Sequence, residues 1–211
     1  MFDFMYLKTD GWHALPEPFS SSIARHSLTS LNLHIIPGVS MVIGWCRRAG
    51  LFFKNIERLT LNFNGIPLFQ DIRHLLDCCR ATVVDLTLLF QELLYIPTME
   101  ALFSLDDFSA LRKSTYGGHP STQILQFASK QLDALSSVSD IAEIRFDMVL
   151  DEYKIGGKKC LYRSIDNDLS TDKFPFLRRV ELDMELPSTS SFFPHLQKRG
   201  LLEPLRNSNW I

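Results

Sequence analysis

The sequence predicts an α/β solenoid, with parallel strands on one face and helices on the other. Two observations predict it: a short apolar phrase that recurs along the chain, and a change of hydrophobic period between its copies. The phrase is an apolar residue, a second three positions later, and a third two positions after that. It reads LTSLNL (Leu28, Leu31, Leu33), IERLTL (Ile56, Leu59, Leu61) and VVDLTL (Val83, Leu86, Leu88). It returns as IAEIRF (Ile141, Ile144, Phe146) and LRRVEL (Leu177, Val180, Leu182). FSALRK reads as a worn copy, with Phe108 and Leu111 in place and Lys113 where the third apolar residue belongs.

Successive first positions are 28, 27, 25, 33 and 36 residues apart. These spacings lie near or just above the leucine-rich-repeat range of about 20–29 residues. Within a phrase, residues two apart share one face of a strand and the residue between them faces away. LTLNF at 59–63 and VELDMEL at 180–186 keep that alternation for several residues. Strands are therefore expected at 28–35, 56–63, 83–89, 142–149 and 178–186, with the worn copy as a sixth.

Between phrases the period becomes helical. PLFQDIRHLLDCC sets Leu68, Ile72, Leu75, Leu76 and Cys79 on one side. STQILQFASKQLDAL does the same with Ile124, Leu125, Ala128, Leu132 and Leu135, opened by Ser121 after Pro120. VSMVIGWCRR, PTMEALFSL from Pro97 and KKCLYRSIDNDL from Lys158 are further helix candidates. FPHLQKRGLLEPL is expected as a short or broken helix, because Gly200 and Pro204 interrupt it.

Each strand–helix unit has two apolar faces that it cannot bury alone, so stacked units share one core. A doubly wound sheet also alternates strands and helices. Its strands, covered on both faces, should be almost continuously apolar, whereas these carry Asn32, Glu57, Asp85, Glu143, Glu181 and Asp183. The domain reading is an N-terminal extension or cap at 1–25, an irregular leucine-rich-repeat-like domain of about six units at 26–203, and a tail at 204–211. Irregularity is expected because Asn64 occupies a turn position that Ile36, Gln91 and Val149 fill elsewhere.

Composition narrows the function. The 211 residues carry a formal net charge of -2 with 22% charged residues, and the short basic pairs Arg47-Arg48, Lys158-Lys159 and Arg178-Arg179 build no stripe for a nucleic-acid backbone. No segment reaches the roughly 18 apolar residues of a membrane span, and the opening 19 residues lack a basic n-region. Cys46, Cys78, Cys79 and Cys160 read as buried small hydrophobes in a reducing compartment. No N-x-S/T sequon occurs. The expected location is intracellular, cytoplasmic or nuclear.

Candidate chemistry is sparse. His74 and Cys78 stand four apart on a helix, which supplies two metal ligands where a closed zinc site needs four; inward-packed cysteines with His74 near the edge are the expected arrangement. No Cys–His nucleophile grouping is evident. YKIGGKKC at 153–160 lacks phosphate-loop spacing, and it and YGGHP at 116–120 read as flexible loops. Asp106, Asp107, Asp166 and Asp168 read as solvated charges or helix caps. The pairs Phe52-Phe53 and Phe192-Phe193 read as one core residue and one end-covering residue each, and Trp12, Trp45 and Trp210 as packing. No catalytic residue, cofactor or metal is expected.

GLFFKNIERLTLNF (50–63), IRHLLDCCRATVVDLTL (72–88), LDDFSALRKS (105–114), FPFLRRVELDMEL (174–186) and FFPHLQKRGLLE (192–203) resemble, in that order, an uncharacterised F-box-associated leucine-rich-repeat-like family of mushroom-forming fungi. The resemblance covers residues 26–203 and implies a strand-lined face that holds a protein partner. It also implies a link to a ubiquitin-ligase scaffold where an F-box lies upstream. ALPEPFSSSIARHSL at 14–28 echoes an F-box opening, but the helical pattern and tryptophan that should follow are missing.

The expected function is a non-enzymatic protein-interaction or scaffold module, the substrate-recognition part of an F-box-type adaptor. A truncated or inert family member and a small α/β enzyme are the alternatives. The expected protein-binding face consists of the polar residues between the apolar ones: Asn32, Thr60, Asn62, Thr87, Arg145, Asp147, Glu181 and Asp183.

Overall fold

The computed structural model describes residues 29–35, 43–44, 53–63, 69–91, 103–119, 121–135, 139–147, 155–169, 172–182 and 192–204. Seven strands run through them: β1 (Ser30–Ile35), β2 (Arg58–Phe63), β3 (Asp85–Phe90), β4 (Lys113–Gly118), β5 (Glu143–Asp147), β6 (Arg179–Leu182) and β7 (Leu202–Pro204). Four helices lie between or after them: α1 (Phe69–Cys79), α2 (Ser121–Asp133), α3 (Ile155–Leu169) and α4 (Pro194–Lys198). The strands form one sheet whose spatial order follows chain order from β1 to β7, and every neighbouring pair is parallel. No order reversal of the doubly wound kind occurs in it.

A main-chain motif sets the register. The carbonyl of Thr29 accepts from the N–H groups of both Glu57 and Arg58 at 2.9 and 3.1 Å, and Glu57 accepts likewise from Val84 and Asp85 at 2.7 and 2.9 Å. Val84 then accepts from Arg112 and Lys113, Arg112 from Ala142 and Glu143, and Ala142 from Arg178 and Arg179. One carbonyl per unit thus anchors two donors of the next, the residue before the strand and the strand's first residue.

The repeating phrases supply the apolar rows above this frame. Leu31, Leu59, Leu86, Ser114, Ile144, Val180 and Leu202 align across the sheet, as do Leu33, Leu61, Leu88, Tyr116, Phe146 and Leu182. All of these are buried except Leu202, which packs partly exposed against the rest. From α2, Phe127 lays its ring edge-on to Phe90 and Tyr116, with centroids 5.9 and 6.3 Å away, so this helix covers the apolar sheet face. Phe63 stacks on Phe90, and Tyr116 on Phe146, at 5.2 and 5.8 Å. Ile72, Leu75, Leu76 and Cys79 of α1 and Tyr162, Ile165 and Leu169 of α3 belong to the same continuous core.

Several expectations are corrected. The fourth phrase is LRKSTY rather than FSALRK: Leu111, Ser114 and Tyr116 occupy its three positions, and Lys113 points from the polar face, opposite Asp85 and Glu143. The shift arises because a serine sits in the middle apolar position. Tyr116–Gly118 ends β4 instead of forming a loop, and residues 155–160 open α3, so neither glycine pair is a flexible loop. FPHLQKRGLLEPL divides at Gly200 (φ 68°) into α4 and β7, which makes seven strands rather than six and carries the sheet to Pro204. VSMVIGWCRR beyond Ile43 and Gly44, PTMEALFSL before Phe103, and the three tryptophans lie outside the described residues.

Candidate interaction face

The residues between the apolar ones form three rows on the opposite face of the sheet. The first is charged and alternates in sign from β2 to β6: Arg58, Asp85, Lys113, Glu143, Arg179. The second runs Asn32, Thr60, Thr87, Thr115, Arg145, Glu181, Glu203. The third runs His34, Asn62, Leu89, Gly117, Asp147.

Strand alternation therefore brings Asn32, Thr60, Thr87, Arg145 and Glu181 of the expected face into one row, with Asn62 and Asp147 in the next. Asp183 lies outside the described residues. Thr115 and Glu203 complete the second row and were missed in the sequence: Thr115 because the fourth phrase was displaced, Glu203 because a helix was expected there. Alternation of charge at the first position of β2 to β6 was the signal for the first row.

An ion-pair network occupies the β5–β7 end. Arg145 donates from Nη2 to Asp147 Oδ2 at 3.1 Å, and its Nη1 lies 3.7 Å from Glu181 Oε2. The other Glu181 oxygen lies 2.5 Å from Arg179 Nη2, and Arg179 Nε lies 2.7 Å from Glu203 Oε2. The Asp147 and Glu181 side chains are only 11% exposed while both arginines are more open, so the carboxylates sit at the base of the network. Toward β2 and β3 the face changes to the neutral Thr60, Thr87 and Thr115 steps beside half-exposed Leu89. Along the second row, one end thus offers paired charges and the other hydroxyl and methyl groups, on a strand-held surface.

The remaining chemical groups are dispersed. Cys78 and His74 are exposed on α1 with Sγ and Nε2 4.0 Å apart, and Cys160 is exposed too. Among the described cysteines only Cys79 matches the expected inward packing: it is buried, donates to the Leu75 carbonyl, and its thiol is pushed up to about 12 by burial and then by Cys78. Cys46 lies outside the described residues. Asp166 is not solvated; at 1% exposure it caps α4. Asp168, on α3 like Asp166, is raised above its ordinary value chiefly by burial, against the pull of a hydrogen bond from Ser129. Among the described residues no group of three or more His, Cys, Asp and Glu side chains could hold a metal ion.

No protein-family model, curated protein or solved structure matches the chain. Fold and face define an α/β protein built on an all-parallel seven-stranded sheet, apolar on one side and polar on the other. Among its described residues, no helix is long and apolar enough to cross a membrane.

Proposed function

We propose that the chain is an irregular leucine-rich-repeat-like solenoid, a non-enzymatic intracellular interaction or scaffold module that holds a protein partner on its polar sheet face. The observation that carries this is the unbroken second row from Asn32 to Glu203, set by the strand register. Rigid strands spread such groups over a broad, shallow surface, which suits a protein or peptide better than a small molecule. Alternating charge in the first row supports a protein rather than a nucleic acid, whose phosphates need an uncompensated positive stripe. The resemblance to F-box-associated proteins extends the proposal: the chain is the substrate-recognition part of such an adaptor. A ubiquitin-ligase scaffold is a partner where an F-box lies upstream.

The test captures partners by in-cell cross-linking, then measures direct binding of each purified partner to the native chain and to an Arg145→Ala, Asp147→Ala, Glu181→Ala triple variant. Arg145 and its carboxylates are removed together so that no buried charge is left unpaired. At least a tenfold loss of affinity with unchanged circular dichroism is expected. Equal affinity would remove this face from the proposal.

A further inference from the structure

We infer that α1 carries a surface metal site, in which His74 Nε2 and the Cys78 thiolate chelate a zinc ion. Side chains four apart on a helix lie one above the other on the same face. Here Cys78 Sγ and His74 Nε2 face each other at 4.0 Å. A tetrahedral zinc, bonded at about 2.3 Å to sulfur and about 2.1 Å to nitrogen, holds those two atoms roughly 3.6 Å apart. The pair therefore stands a few tenths of an ångström from chelating geometry. Both side chains are exposed, so small rotations are free to close that gap. The contact uses Nε2, at the tip of the imidazole, which leaves Nδ1 to carry the proton of the neutral ring. Without metal, the same contact is a long thiol–imidazole hydrogen bond.

The frame beneath the pair is fixed. Ile72, Leu75, Leu76 and Cys79 anchor the other side of α1, each 5% exposed or less. Cys79 is turned inward and donates to the Leu75 carbonyl at 3.2 Å, so of the two neighbouring thiols only that of Cys78 faces solvent. The carboxylates nearby are engaged elsewhere: Arg80 Nη1 lies 3.5 Å from Asp77 Oδ1 and 3.9 Å from Asp107 Oδ1. The donor set is thus one imidazole and one thiolate. That set suits zinc and disfavours magnesium and calcium, which take oxygen ligands. The chain fills two of the four tetrahedral positions and leaves two for water or an outside donor. A site this open binds and releases its metal without holding the fold together, unlike a closed structural site. Because the buried side of α1 belongs to the apolar core, the site stands apart from the polar rows of the sheet, and it does not rest on the function proposed for them.

The experiment titrates the full, reduced chain with Co2+ as a spectroscopic stand-in for Zn2+. Expected is a sulfur-to-cobalt charge-transfer band in the near ultraviolet that saturates at one equivalent. An equivalent of Zn2+ should displace it, and a hundredfold excess of Mg2+ should leave it unchanged. Cys78→Ser should abolish the band, and His74→Gln should weaken binding at least tenfold. Both variants should keep the native circular dichroism, since both residues are exposed. Cys46→Ser and Cys160→Ser should each leave the band as it is. Affinity should also rise with pH, because the thiol gives up its proton on ligation. Three results would overturn the inference: no band at all, a band that survives Cys78→Ser, or His74→Gln binding as tightly as the native chain, which would mean an adventitious ion on a single thiolate only.

Discussion

At Gly118 the backbone turns to φ +107°, and a Cβ built there would lie 1.9 Å from the Phe90 carbonyl oxygen. That oxygen accepts from His119 N–H at 2.7 Å, the bond that steers the chain out of β4. Gly118→Ala therefore meets both an unfavourable backbone conformation and a main-chain collision that no rotamer relieves. We expect it to destabilise the fold by about 2–4 kcal/mol, read as a lower urea midpoint with unchanged slope. Its neighbour Gly117 is needed for a different reason: an added Cβ would lie 2.8 Å from Leu89 Cδ2 and 2.9 Å from the Asp147 carbonyl oxygen. Lacking a side chain there, β4 lets Leu89 lean across the polar face.

Among the helices, α2 and α3 join through a polar contact as well as an apolar one. Ser129 donates to Asp168 Oδ2 at 3.2 Å and lies 3.0 Å from Ser164 Oγ. Burial raises the Asp168 carboxyl, so the folded chain binds this proton more tightly than the unfolded one. Its ionisation therefore opposes folding at neutral pH. The penalty is relieved as pH falls through the raised folded value and is gone below the ordinary value of 3.8. Asp168→Asn should consequently gain relative to the native chain at pH 7, with the difference shrinking as pH falls toward 4. Paired thermal melts at pH 7 and 4 check the sign; a difference that widens on acidification would contradict it. Elements differed in how plainly the sequence announced them. Five strand phrases and the two helices with a strong apolar stripe were legible because every apolar position in them is filled. β4 was displaced because Ser114, although buried, is polar. The opening of α3 was hidden by Gly156 and Gly157, whose low helix propensity is outweighed once Tyr162, Ile165 and Leu169 anchor the rest. The rows of the face were legible wherever a strand was placed correctly, and lost at Thr115 and Glu203 where it was not.

Across the described residues, the core is a stack in which an interior unit has neighbours on both sides and a strand at either margin has one. Leu86 of β3 sits between Leu59 and Ser114 with 0% exposure, whereas Leu31 of β1 has, among the described residues, Leu59 alone beside it in its row and is 4% exposed. Leu86→Ala should therefore cost about 3–5 kcal/mol, and Leu31→Ala less, nearer about 2 kcal/mol. Urea unfolding of the two variants side by side measures the gradient, and equal losses would mean that the stack behaves as one indivisible unit.

The shared carbonyls from Thr29 to Ala142 have a consequence for how the chain tolerates change. What aligns one strand with the next is peptide groups rather than side chains, and the partners sit at the point where each strand begins. From Ile56 to Val83 the chain takes 27 residues and from Ile141 to Leu177 it takes 36, yet the same two-donor rung closes both spans. Length added between rungs leaves the register of the sheet unchanged, so connecting segments can be swapped or enlarged while the polar rows stay in step.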